Sequence, residues 1–156
     1  MKLDVEVQVA LEMAGLPTVA EFRRWVDAAL AGAGYDRDAE VVVRIVNEAE
    51  SASLNQTYRH KAGATNVLSF PFEAPVGVGV DLLGDIVICA PVVVREAIEQ
   101  HKSLPAHWAH LAIHGVLHLL GHEHQDAAQA GAMEQLEIRI LAGLGYPDPY
   151  RELALP

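Results

Sequence analysis

His114-Gly115-Val116-Leu117-His118-Leu119-Leu120-Gly121-His122-Glu123-His124 is the stretch on which the reading of this chain turns. Two histidines four apart stand one above the other on one helical face, about one turn apart, so both rings reach a single ion. Gly121 suits the left-handed conformation that ends a helix. A chain that doubles back there brings His124 to the same point. Three neutral imidazoles leave one tetrahedral position open, which is the catalytic rather than the structural type of zinc site. An unbroken helix would present His122 instead, four residues after His118, and Gly121 argues that the helix stops first.

A lone helical His-x3-His pair is ordinarily a surface feature or a satisfied core pair. Here the glycine and the third histidine fall at matching offsets, and Leu117, Leu119 and Leu120 make this helix end apolar, where a buried imidazole needs partners. His107 and His110 continue the face of His114 upstream. They are expected to be solvated, or to support a ligand from behind, rather than to bind the ion. The spacing His-x3-His-x2-Gly-x2-His is that of metzincin peptidases, but Gly115 stands where those enzymes carry a glutamate base. The pattern therefore reads as a zinc hydrolase without the peptidase machinery.

The rest of the chain sets the frame. At 156 residues, with 51% hydrophobic content, it is expected to be one domain over 1–156 with a real core. The first residues, Met1 to Val7, lack the apolar segment of a secretory signal, and no run of 18 or more apolar residues suggests a membrane span. The single cysteine, Cys89, lies in an apolar run and reads as a small buried residue, consistent with a reducing cytoplasm. A formal net charge of -10 argues against a broad cationic platform for nucleic acid, so any such contact should be focal.

Along the chain, Leu3, Val5, Val7 and Val9 alternate with polar residues as a strand. Thr18 to Glu21 is a capping box that opens a helix ended by Gly32 and Gly34. A β-branched strand over 40–46, a short helix over 48–58 and a strand over 67–72 follow, then a loop over 73–80 that could flank the site. Next come a strand over 84–90, a helix from Pro91 to about Lys102, the histidine helix capped by Ser103, and a last helix over 126–142. About four strands and five helices make an α+β pattern, with the zinc site at a helix C-terminus.

A second motif runs from Leu54 through Tyr58, Arg59, His60, Lys61, Thr65, Asn66 and Ser69 to Phe72. Arg59 and Lys61 have a bland explanation as cations at a helix C-terminus. In an acidic chain they are also the natural local attractor for an anion. Tyr-Arg-x-Lys, then Thr-Asn-Val-Leu-Ser-Phe-Pro, Leu83-Gly84-Asp85-Ile86, the histidine stretch and the ending Leu144 to Tyr150 together closely resemble the YbeY family of bacterial endoribonucleases. The resemblance spans roughly residues 40 to 150. It implies an α+β fold with a mixed sheet and helices around a zinc site. It also implies single-strand-specific, metal-dependent cleavage of RNA in small-subunit (16S) rRNA maturation and ribosome quality control, with rRNA and the ribosomal small subunit as partners. Carried over by position, the zinc ligands are His114, His118 and His124, with one ion per chain, and the arginine tied to activity is Arg59. Two departures stand out: Ala62 replaces the usual aspartate after the lysine, and His122 replaces a frequent tyrosine.

The chemistry agrees with phosphodiester cleavage, because a planar guanidinium at Arg59 meets phosphate oxygens in two-point fashion and Lys61 adds a weaker point contact. Two other functions compete. A zinc hydrolase acting on peptides would need Glu123 or another carboxylate in place of the missing glutamate. A metal-stabilised ribosome-assembly module would need a fourth protein ligand, for which His110 and His122 are the candidates. Glu73, Asp81 and Asp85 either line the cleft or decorate loops and strand ends.

Overall fold

Alternating apolar side chains along Leu3–Val9 (β1) and the β-branched run Ala39–Val46 (β2) form two strands, with helix α1 (Val19–Gly32) between them. The computed structural model describes residues 2–123 and 125–151. The capping box at α1 is complete: Thr18 Oγ1 accepts from the Glu21 amide at 3.1 Å, and the Glu21 carboxylate accepts from the Thr18 amide at 3.0 Å. A helical crossover lets consecutive strands lie parallel, and β1 pairs with β2 in parallel from Leu3–Ala39 to Val9–Ile45. Then follow α2 (Glu48–Arg59), β3 (Val67–Pro71), β4 (Leu82–Cys89), α3 (Ala90–Glu99), α4 (Leu104–Leu119) and α5 (Ala127–Gly143).

The strands form one sheet in the order β1-β2-β4-β3, with β4 parallel to β2 and β3 antiparallel to β4. Among the described residues this is the mixed four-stranded sheet with five helices that the sequence led one to expect. Strand alternation sends Val41, Val43, Ile45, Ile86 and Ile88 into one core with α1, α4 and α5. Val46, Leu68, Val87 and Cys89 face a smaller cluster with Val92 of α3 and half-buried Leu54 of α2. Phe22 stacks edge-on against both Trp25 and Trp108, at 5.4 and 5.9 Å, and ties α1 to α4. Helix α3 stops at Glu99 rather than Lys102, because His101 turns left-handed (φ 55°) and the Lys102 amide reaches back to the Ala97 carbonyl.

Helix α4 is the central helix, sheathed on nearly all sides. His107 and His110 are only 2% and 8% exposed, so the expectation that they are solvated is corrected. Among the described residues no helix is long and apolar enough to cross a membrane.

One glycine in the recognised motifs has a steric reason. Gly84 has φ +145°, and a Cβ there would lie 2.3 Å from the Phe70 carbonyl oxygen and 2.8 Å from Leu119 Cδ2. Gly84→Ala is expected to cost about 3 kcal/mol, from backbone strain and the displaced β3–β4 pair. Urea unfolding should show a lower midpoint at unchanged slope. An unaltered midpoint would mean that the hairpin relaxes freely.

Candidate metal centre and cleft

Helix α4 ends as the glycine implied. Gly121 is left-handed (φ 93°), its amide donates to the His118 carbonyl at 3.0 Å, and the His122 amide donates to the Leu117 carbonyl at 3.0 Å. This double bond pattern is the Schellman stop, which turns the chain sharply after one glycine. His122 therefore does not continue the helical face of His118. His124, the third expected ligand, lies outside the described residues.

His110, His114 and His118 are spaced by four and stack along one face of α4, with ring centroids 6.2 and 4.6 Å apart. The Nε2 atoms of His114 and His118 are 3.0 Å apart. Behind His114, its Nδ1 lies 2.5 Å from Glu137 Oε1, and Glu137 is completely buried. The Tyr150 hydroxyl donates to Glu137 Oε2. His110 Nε2 lies 3.2 Å from the Tyr150 oxygen and 3.5 Å from Glu137 Oε1.

Burial raises the Glu137 pKa, but hydrogen bonds from His110 and His114 outweigh it and hold the carboxyl at about 2, so Glu137 is an anion. Burial lowers the pKa of His110 despite the opposing bond to Glu137. Burial and the adjacent Glu137 push the Tyr150 hydroxyl upward, so it keeps its proton and donates. With Glu137 accepting the Nδ1–H of His114, the His114 lone pair sits on Nε2, facing His118.

These residues fit a divalent ion. Two imidazole nitrogens bound tetrahedrally at ~2.0–2.1 Å stand ~3.3–3.4 Å apart, close to the observed separation of His114 and His118. His110, His114 and Glu137 also bring ligand atoms within 4.8 Å of one another, close enough to hold an ion. Their contacts are hydrogen bonds in a closed interior, the arrangement by which a carboxylate orients a ligating histidine from behind. His107 and His110 each use Nε2, His107 towards Glu96 at 3.0 Å, and leave a buried Nδ1 with no partner among the described residues.

The Nε2 face of this pair opens into a cleft of about 220 Å³ whose lining includes Arg59, Lys61, Asn66, Ser69, His114 and His118. It continues outward into a space of about 300 Å³ bordered by Arg59, Ser69, Pro71, His118, Glu123 and Gln125. The cleft straddles β3, the edge strand, between the end of α2 and the end of α4. The structure thus brings Arg59 and Lys61 together with His114 and His118.

The cations are held by local structure. Arg59 is the last residue of α2, His60 takes a left-handed cap (φ 56°), and the Lys61 amide donates back to the Asn55 carbonyl at 3.3 Å. Asn55 Nδ2 donates to the Gly63 carbonyl at 2.9 Å. Ser51 Oγ donates to the Thr65 carbonyl at 2.9 Å and accepts from the Thr65 amide at 3.0 Å, so the loop after Lys61 is pinned.

Asn66 donates to Glu96, which also takes the His107 bond, and so couples the cleft wall to α3 and α4. Burial raises the Glu96 pKa, but the bonds from His107 and Asn66 prevail and hold it below its ordinary value of 4.5. Glu96→Ala is expected to cost about 2–3 kcal/mol, since it strands the buried His107 donor. Because the folded pKa is depressed, that contribution is present above pH 4.5 and fades as pH falls through the folded value. Urea midpoints of both proteins at neutral and acid pH would check it; a constant difference would refute the linkage.

Gly115 faces the sheet rather than the cleft. A Cβ there would lie 2.8 Å from Ile86 Cγ2, and its carbonyl accepts the Ser69 hydroxyl at 3.1 Å. A glutamate base at 115 has no room in this packing, whereas Glu123 does border the outer cleft. Glu73, Asp81 and Asp85 are not among the residues bordering either space, and neither is the 73–80 loop. Sequence reasoning missed Glu137 and the role of Tyr150. Glu137 had a signal: it shares a helical face with Met133, Ile140 and Leu141, an acid where the period asks for an apolar residue.

Comparison with known proteins identifies the family. The family described as Endoribonuclease YbeY matches residues 8–145. A protein named Endoribonuclease YbeY from Nitrosococcus oceani is 55% identical over 155 residues, covering 98% of this chain and all of that protein. One of the same name from Alkalilimnicola ehrlichii is 60% identical over 152 residues, covering 96% of this chain and 92% of that one. The fold is similar to the solution structure of TM1509 from Thermotoga maritima, with 23% identity, a TM-score of 0.55, and coverage of 89% and 91% of the two chains. The match runs through the histidine helix, the Arg59 motif and the strands that join them, and the chain belongs to the endoribonuclease YbeY family.

Proposed function

We propose that this chain is a zinc-dependent endoribonuclease specific for single-stranded RNA, with one ion held by His114, His118 and His124. One observation carries the reading: a single cleft joins Arg59 and Lys61 to the facing nitrogens of His114 and His118. When bound, zinc supplies Lewis acidity and makes water a competent nucleophile near neutral pH. Arg59 binds the non-bridging oxygens of the scissile phosphate by two-point hydrogen bonds and steadies the charge that develops there. Lys61 draws the backbone into the cleft as a point charge. Ser69 is committed to the Gly115 carbonyl and holds the cleft wall rather than reacting.

The two competing functions fare less well. A structural ion needs four protein ligands, and His110 directs its Nε2 towards Tyr150 and Glu137, away from the cleft. A peptidase would have to take its base from Glu123 at the outer cleft, because Gly115 cannot supply one. The names of the relatives support RNA as substrate. The resemblance extends the proposal to 16S rRNA maturation and ribosome quality control in the cytoplasm, with the small ribosomal subunit as partner.

The test is hydrolysis of a labelled single-stranded RNA, its duplex and a peptide library by chelator-stripped and zinc-restored protein. Zinc-dependent cleavage confined to single-stranded RNA is expected. Peptide hydrolysis alone, or none of the three, would overturn the reading.

A further inference from the structure

Glu137 is a carboxylate with 0% exposure on the apolar face of α5. Burying a charge is costly unless every oxygen is answered, and a well-packed apolar residue would serve stability as well or better. Both oxygens are answered, one by His114 Nδ1 and the other by the Tyr150 hydroxyl. Tyr150 comes from the segment after α5, where prolines 147 and 149 fix the backbone and Asp148 Oδ1 accepts the Tyr150 amide at 2.8 Å. Its ring meets His110 edge-on at 5.3 Å. The tail thus reaches the back of the histidine face that opens on the cleft.

We propose that this segment latches the metal centre: the Tyr150 hydroxyl fixes Glu137, and Glu137 fixes the tautomer and direction of His114. Tyr150 and Glu137 are positioning residues and touch no substrate. Neutral imidazole has two tautomers, and only the one protonated at Nδ1 offers Nε2 to an ion beside His118. Glu137 selects that tautomer before any ion arrives, and Tyr150 prevents the carboxylate from rotating away. Carboxylates in this relation typically contribute about 10- to 100-fold in metal affinity. The inference rests on the reading of His114 as a ligand.

The test is zinc affinity by chelator competition for the full chain and for Glu137→Gln, Glu137→Ala, Tyr150→Phe and Leu141→Ala, with the stability of each metal-free protein measured in parallel. Leu141→Ala is a core truncation on the same helix and controls for general loosening. Expected losses of affinity are about 10-fold for Glu137→Gln, about 100-fold for Glu137→Ala, and smaller but measurable for Tyr150→Phe. Leu141→Ala should lose stability and keep its affinity. Imidazole nitrogen shifts of the metal-free proteins should report His114 as the Nδ1–H tautomer in the wild type and a mixture in Glu137→Ala. Affinity unchanged in the Glu137 and Tyr150 variants, or lost equally in Leu141→Ala, overturns the latch. A wild type that takes up no divalent ion removes the metal centre itself, and the latch with it.

Discussion

Replacing Arg59 with alanine is expected to cut cleavage of single-stranded RNA by about 10²–10³-fold, the usual effect of deleting one donor aimed at developing charge. Folding and zinc content should barely change. Arg59 is exposed at the last position of α2, where its favourable interaction with the helix dipole amounts to about 0.3–1 kcal/mol. A loss of that size shifts a urea midpoint slightly and cannot explain a hundredfold fall in rate. The conservative variant sharpens the test. Arg59→Lys retains the charge but loses the planar fork, so an intermediate rate points to geometry as well as charge. Lys61→Ala should raise KM more than it lowers kcat if, as proposed, Lys61 attracts the backbone without sharing the reacting charge. Normal cleavage by Arg59→Ala would show that phosphate is held elsewhere in the cleft.

The parts of this site that were legible in the sequence are those fixed by local rules. A spacing of four places His114 and His118 on one helical face whatever surrounds them, and a glycine at 121 ends the helix through its own backbone preference. The strands were legible for the same reason, because alternation in β1 and β-branching in β2 are local signals. What lay beyond reach depended on tertiary neighbours. His110 is 40 residues from Tyr150 and His114 is 23 from Glu137, and nothing local joins them. The burial of His107 follows from α4 being the middle helix, a consequence of packing order rather than of its own sequence. Gly115 shows the opposite case. Read as a missing catalytic residue, it is instead a point of close contact with Ile86, so its meaning lies in the sheet and not in the chemistry.

His118→Ala should reduce cleavage to that of a protein-free control, and added zinc should not restore it. Of the proposed ligands His118 is the better one to remove, because truncating His114 would take the closest partner from Oε1 of the fully buried Glu137 and confuse unfolding with loss of metal. His118 is half-buried at the cleft, so its loss leaves the main core between α1, α4 and the sheet intact. The thermodynamic consequence separates a catalytic ion from a structural one. An ion that binds only the folded state stabilises it by RT ln(1 + [L]/Kd), about 4 kcal/mol at a thousandfold excess over Kd. Wild-type protein should therefore melt at a higher temperature as zinc is added, whereas His118→Ala should show a greatly diminished response. Yet the chelated wild type should remain folded, because the main core is built from buried apolar side chains of α1, α4, α5 and the sheet. A structural zinc behaves otherwise, since small domains built on one unfold without it. Calorimetry of the stripped protein alongside the RNA assay distinguishes these cases. A folded, inactive, zinc-rescuable protein fits a catalytic centre. Full cleavage by the stripped enzyme, or by His118→Ala, would remove the ion from the chemistry altogether.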